Sequence, residues 1–342
     1  MRLSAESAKG YSGFTLTEQE DGTISIKVDL ITGFLGAGKT TFLLRYARYL
    51  IAQGLKIGIL VYDHGSVNVD LPILKELRSE NCELETIAGA CDPDCHRRRF
   101  RTKLIAMAMS GYDRVMIEPS GVFDMDEFFD TLQDAPLDRR YEVGNVITII
   151  DADLEENSSE EEDFFLASQA ACAGSVVLSK VQLASPADIE RTLCHLRRAE
   201  DRIKARPTPD DQILIKDWGD LTEEDFKALM NCGYRLPDYV KTIAGMQTEF
   251  QSLPFLDIPL DGASLPAKTD QLFHNPQFGR IIRVKGFFRD GQKWYQLNAT
   301  AQRTHIEEVP ETRSAITVIG SGLNENEISR LLTGRVREHR IL

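Results

Sequence analysis

The stretch Gly33-Phe34-Leu35-Gly36-Ala37-Gly38-Lys39-Thr40-Thr41 satisfies G-x-x-x-x-G-K-[ST], with a third glycine inside the loop. Its chemistry is that of a polyphosphate grip. Gly33, Gly36, Ala37 and Gly38 are small enough to let successive backbone N–H groups turn inward around an anion. The helix that follows aims the positive end of its dipole at the same charge. Lys39 is then expected to reach the β- and γ-phosphates, and the Thr40 hydroxyl, with Thr41 beside it, to complete a Mg²⁺ shell. A second stretch, Tyr112-Asp113-Arg114-Val115-Met116-Ile117-Glu118-Pro119-Ser120-Gly121, reads as a strand that ends in a metal-side acid and a switch. Glu118 is placed to hold Mg²⁺ through water, and Gly121 to offer a backbone N–H to the γ-phosphate. The plainer alternative for Glu118 is a surface carboxylate capping the next helix. The expected ligand is a nucleoside triphosphate.

For these residues to meet, strands must deliver them to one edge of a sheet. Residues 24–32 alternate and then turn apolar, as a strand entering a buried parallel sheet does. Phe42, Leu43, Leu44, Ala47, Leu50 and Ile51 recur at helical spacing, and Gly54 sits where a C-terminal cap belongs. Short β-branched runs at 55–62, 113–117, 143–150 and 175–178 alternate with helical stretches. That rhythm predicts an α/β fold, a mostly parallel sheet with helices on both faces. Ligands in such folds gather at the carboxyl ends of strands, where Asp63, His64, Glu118, Ser120, Asp151, Asp153, Ser179, Lys180 and Gln182 all fall.

The expected domains are an N-terminal extension over 1–23 with a hairpin turn at Glu20-Asp21-Gly22, a nucleotide-binding domain over 24–253, and a linker over 254–276. The linker is marked by Pro254, Pro259, Gly262, Pro266 and Pro276. A small α+β domain over 277–342 follows, with strands at 280–288, 293–297 and 315–320 and a closing helix at 325–332. The acidic run 155–163 reads as a solvated loop.

With 342 residues the chain can build two domains, and a net charge of −13 argues against a sequence-independent nucleic-acid binder. The basic run His96-Arg97-Arg98-Arg99-Phe100-Arg101 reads as a solvated helix face or partner contact. No apolar run approaches the roughly 18 residues of a membrane helix, and no signal-peptide core is present, so a cytoplasmic protein without membrane partners is expected. Its six cysteines are expected to be reduced. Of these, Cys172, Cys194 and Cys232 read as small core residues, and Trp218 and Trp294 as packing.

Beyond the two phosphate-side stretches, the chain carries Val146-Ile147-Thr148-Ile149-Ile150-Asp151-Ala152, Arg283-Val284-Lys285-Gly286 and Val318-Ile319-Gly320-Ser321-Gly322-Leu323-Asn324. With Ile31-Thr32 before the loop, this set resembles the CobW-type branch of the SIMIBI P-loop GTPases, relatives of the UreG and HypB metallochaperones, over roughly residues 27 to 335. The resemblance implies a P-loop GTPase domain and a CobW C-terminal-like domain. It places Asp63 and Asp70 in the first switch, as candidates for Mg²⁺ or water positioning. It also implies a base-reading tetrad at Ser179-Lys180-Val181-Gln182, where the family usually has N-K-x-D. Gln182 offers one acceptor and no charge in place of the aspartate. GTP is therefore expected to outcompete ATP by a reduced margin.

Where the family carries G-C-x-C-C, this chain has Gly89-Ala90-Cys91-Asp92-Pro93-Asp94-Cys95-His96. Two readings stand for it: Cys91, Cys95 and His96 share a Zn²⁺ or similar ion, or the segment is a turn with incidental cysteines. Cys82 reads as a fourth ligand or a buried residue, and His64 as a polar switch residue. The resemblance implies a Mg²⁺-dependent GTP-hydrolysing switch in metal or metallocofactor maturation, cobalamin-related chemistry being one example, with a metalloprotein client and a homodimer as implied partners. The rivals are a P-loop ATPase or small-molecule phosphotransferase, and a nucleotide-holding regulatory module without metal.

Overall fold

The structure is a computed structural model, and it describes residues 25–62, 74–87, 93–154, 158–240, 250–256, 264–301, 303–311 and 314–334. The expected N-terminal hairpin lies outside these residues. Among them, apolar, β-branched runs form β1 (Ile26–Thr32), β2 (Ile57–Tyr62), β3 (Cys82–Ile87), β4 (Arg114–Pro119), β5 (Tyr141–Asp151), β6 (Ser175–Ser179) and β7 (Ile213–Leu214). Their order is β3-β2-β4-β1-β5-β6-β7, and each neighbouring pair is parallel. The connecting helices are α1 (Lys39–Ala52), α2 (Pro93–Met107), α3 (Met125–Gln133), α4 (Glu160–Cys172), α5 (Pro186–Arg202) and α6 (Glu223–Leu229).

Because side chains alternate across a strand, each strand feeds two cores. Val28 and Leu30 meet Phe100, Phe128 and Leu166 on one face, so α2, α3 and α4 lie there. Ile31 and Ile59 meet Phe42, Leu43 and Leu50 of α1 on the other. Each such side chain contributes roughly 1.5–3 kcal/mol by burial. The end of the acidic run expected as a solvated loop, residues 160–163, instead forms the first turn of α4. Ser159 caps it reciprocally with Glu162, and the acidic first turn suits the positive end of the helix. Asp163 is buried there, where hydrogen bonds from His195 and Ser158 outweigh the effect of burial and hold its carboxyl below the usual range.

The second sheet is antiparallel, ordered β11-β10-β9-β12-β8. Its strands are β8 (Phe250–Leu256), β9 (Arg280–Asp290), β10 (Lys293–Ala299), β11 (Thr304–Val309) and β12 (Ala315–Ser321), and α7 (Leu265–His274) and α8 (Glu325–Thr333) cover one face. This corrects the expected linker over 254–276. Within it, β8 pairs with β12, and α7 places Leu265 and Leu272 in the core of the C-terminal sheet. Pro254 is tolerated because β8 is the edge strand among the described residues, which show no ladder on its far side.

One polar cluster interrupts the apolar sheet. Asp29 of β1 is fully buried and accepts hydrogen bonds from Arg114 at 2.5 and 2.7 Å, Tyr46 at 2.9 Å and Asn145 at 2.8 Å. It thereby ties β1 to β4, β5 and α1. Burial pushes the Asp29 carboxyl up from its usual range, and the Arg114 guanidinium opposes that shift. Truncating the cation would leave a buried carboxylate uncompensated, at a cost of roughly 3–5 kcal/mol. Arg114→Leu is therefore expected to lose stability in urea titrations. Since a raised carboxyl pKa makes the folded state hold its proton more tightly, stability falls as pH rises through that range, so the deficit should be larger at pH 8 than at pH 5. A deficit independent of pH would contradict this account.

Candidate functional site

The loop after β1 is shaped by what stands beneath it. Gly33 has φ 142°, and a Cβ there would lie 2.2 Å from the Ile149 carbonyl oxygen of β5, so only glycine lets the chain leave the sheet at this point. The loop closes on Ala37 N–H donating to Phe34 C=O at 3.2 Å, and α1 begins at Lys39. The Lys39 ammonium is nearly buried and donates to Gly33 C=O at 2.9 Å. It is thus held against the loop that presents the N–H groups.

The Thr40 hydroxyl donates to Glu118 Oε1 at 2.6 Å, across a separation of 78 residues. Glu118 is 5% exposed. The alternative of a surface carboxylate capping a helix is thereby removed; Asp124 caps α3 through the Asp126 N–H instead. A hydroxyl and a carboxylate oxygen side by side at the phosphate edge suit a hard cation that prefers oxygen donors. Thr40 and Glu118 fit Mg²⁺, which when bound neutralises charge developing on the transferring phosphoryl group. Gly121 lies against the loop itself, since a Cβ there would sit 2.5 Å from the Leu35 backbone nitrogen.

A cavity of about 410 Å³ opens beside these residues, lined by Gly38, Lys39, Thr40, Thr41, Glu118 and Gly121 from the first domain and by side chains of the C-terminal sheet. That volume lies within the range of roughly 300–1,000 Å³ usual for small-molecule sites. The base tetrad does not line it. Ser179 is nonetheless adjacent to the loop, its Cβ 3.7 Å from where a Gly38 Cβ would stand. Lys180, at φ 57°, pairs with Asp151, and Gln182 is exposed. Trp218 packs here, edge-on to Phe42 with centroids 5.6 Å apart, and donates from Nε1 to the Leu178 carbonyl at 2.9 Å.

Asp63, His64, Asp70 and Cys91 lie outside the described residues. Cys95 is partly exposed near the start of α2, whereas His96 is buried with its ring 5.2 Å from that of Tyr62. Cys95 and His96 are consecutive in the helix, so their side chains leave it about 100° apart. Cys82 is buried at the start of β3. Burial pushes its thiol up to about 11. Cys172 is buried, but Cys194, expected in the core, is exposed on α5. Arg97, Arg98 and Arg99 are exposed, consistent with a solvated face. No helix among the described residues is long and apolar enough to cross a membrane. The residues that sequence reasoning missed are those of the C-terminal sheet that line the cavity.

A glycine loop, lysine, hydroxyl and carboxylate at one edge of a parallel sheet define a P-loop nucleotide hydrolase. Residues 27–206 match the CobW/HypB/UreG nucleotide-binding domain, and residues 257–335 match the cobalamin synthesis protein CobW C-terminal domain. The chain belongs to the CobW/HypB/UreG family of P-loop GTPases, which hydrolyse GTP. The zinc chaperone YjiA of Escherichia coli (strain K12) is 26% identical to it over 336 residues, 90% of this chain and 98% of YjiA. The zinc chaperone YeiR of the same organism is 29% identical over 166 residues, 47% of this chain and 48% of YeiR. The crystal structure of Zn(II)-bound YjiA GTPase from E. coli is 22% identical, covers 92% of this chain and 99% of its own, and has a TM-score of 0.40.

Adding a methyl at Gly121 must displace the loop at Leu35, an overpacking cost of roughly 1–3 kcal/mol. Gly121→Ala is therefore expected to slow phosphate release from GTP by about tenfold, with unchanged far-UV circular dichroism. Wild-type turnover in this variant would show that the approach of Gly121 to the loop is irrelevant.

Proposed function

We propose that this chain is a Mg²⁺-dependent GTP switch that carries zinc, or a similar transition metal, to a metalloprotein client. The observation that carries the reading is an aromatic cluster joining the cysteine-bearing segment to the nucleotide site. His96 and Phe100 of α2 both lie 5.2 Å from the ring of Tyr62, the last residue of β2 and part of the cavity lining. Phe123, two residues beyond Gly121, closes the cluster at 5.6 Å from Tyr62 and 6.2 Å from Phe100. A movement of the γ-phosphate segments therefore has a packed route to the start of α2.

Cys91 and Cys95 are the proposed thiolate ligands of the cargo ion, with His96 as the third. A four-coordinate zinc would draw its remaining donors from the client or from a second copy of the chain. Asp63 and Asp70 are proposed to position Mg²⁺ or the attacking water, and Ser179, Lys180 and Gln182 to read the base. The family membership and the zinc chaperones among the relatives support this reading.

Titrating Zn²⁺ against a chromophoric chelator should reveal a site in the wild-type chain that Cys91→Ser/Cys95→Ser lacks, with an affinity that differs between GTP-analogue and GDP complexes. Equal zinc uptake by the two proteins would remove the metal reading. In nucleotide competition, Gln182→Asp should widen the preference for GTP over ATP, because a carboxylate accepts stronger hydrogen bonds from guanine than an amide does. An unchanged ratio would displace the base site from this tetrad.

A further inference from the structure

The two faces of the C-terminal sheet are unlike. On one, Val284, Phe288, Leu297, Ile316 and Val318 form an apolar core with α7 and α8. On the other, the alternation sets Arg283 and Lys285 of β9 beside Gln296 and Asn298 of β10 and Thr317 of β12. The register makes them one patch: Lys285 stands opposite Asn298 on one side and Thr317 on the other. A polar face of an antiparallel sheet ordinarily looks into water. Here Lys285 is 5%, Gln296 6% and Thr317 1% exposed, and Arg283, Lys285, Gln296 and Asn298 line the same cavity as Lys39, Thr40 and Glu118.

The placement of this patch is anchored. Arg280 pairs with Glu162 of α4 at 2.6 Å, and Arg303 with Asp153 beyond β5 at 2.7 Å. Thr300 reaches the tip of the phosphate loop, its Cγ2 3.8 Å from where a Gly36 Cβ would stand. Arg283 is in turn oriented by its Nε, which donates to Asn298 Oδ1 at 3.0 Å. Lys39, Arg283 and Lys285 thus converge on one cavity, against the carboxylates of Glu118 and Glu307. Negative charge that enters this cavity is drawn to these cations as well as to the loop. A triphosphate supplies that charge, and a diphosphate supplies less of it at the far end of the cavity.

We propose that Lys285, with Arg283 beside it, contacts the terminal phosphate of bound GTP, so that the C-terminal sheet is a lid that senses the γ-phosphate within the same chain. Hydrolysis and phosphate release take away one attraction that holds the lid against Lys39 and Thr40, and leave the two ion pairs to carry it. The C-terminal domain then reports the nucleotide state to whatever binds its outer surface. The inference rests on the nucleotide reading of the cavity and is independent of zinc.

The test uses the full chain and measures dissociation constants for GDP and for a non-hydrolysable GTP analogue by calorimetry. Lys285→Met keeps the length of the stem and removes the charge. It is expected to leave GDP affinity within about twofold, to weaken the GTP analogue by about tenfold, and to lower kcat for GTP; Lys285→Arg should recover most of the loss. Equal weakening of both nucleotides, or no change in either, would overturn the proposal. If Lys285→Met does not fold, as judged by its melting temperature and GDP binding, Arg283→Gln at the less buried neighbour must show the same GTP-selective loss, and its absence counts equally against the lid. Failure of the wild-type chain to bind either nucleotide would overturn the site itself, whereas failed zinc uptake leaves this result untouched.

Discussion

The contact on which the site depends is the one between the Thr40 hydroxyl and the Glu118 carboxylate. Neither residue can make it locally. It exists because β1 and β4 are parallel neighbours, so that the loop leaving one strand and the acid ending the other emerge at the same edge. The pairing is in turn held by Asp29 and Arg114, a buried ion pair that joins those two strands beneath the loop. Replacing Asp29 by an apolar residue would also remove the hydrogen bonds that reach α1 and β5. The phosphate edge is therefore specified from below by polar groups and from above by glycines that admit close backbone contact.

A second consequence of sheet geometry is that both proposed partners of the nucleotide reach it through packed layers. The cysteine-bearing segment enters α2, whose first turns meet Tyr62 and Phe123. The C-terminal sheet approaches from the other side and is fixed by two ion pairs to the first domain. The cavity is where Tyr62 of the aromatic cluster and the polar face of the C-terminal sheet meet the loop residues. Rigid packing lets a change of one phosphate act at a distance, since close-packed side chains shift together.

Much of the first domain was legible because its signals are local. The β-branched runs of β1, β2, β4, β5 and β6 sit between helical periods, and the glycine loop has a spacing with few other uses. Edge strands gave weaker signals. β3, Cys-Glu-Leu-Glu-Thr-Ile, carries charges that an edge position tolerates, and β8 contains Pro254, which reads as a breaker until its edge position is known. The acidic run before α4 looked solvated because charge density was weighed without the helix dipole that rewards it at an N-terminus.

Sequence by itself determined the polyphosphate grip, the alternating α/β order and the family, because each follows from residue type at short, fixed spacing. Only the tertiary structure decided that His96 faces Tyr62, and that Lys285 and Gln296 are buried at the same cavity as Lys39 and Thr40. Those facts depend on which face of one sheet meets which edge of another. Alternation along a strand assigns a residue to a face, but what covers that face is settled by contacts between residues hundreds of positions apart.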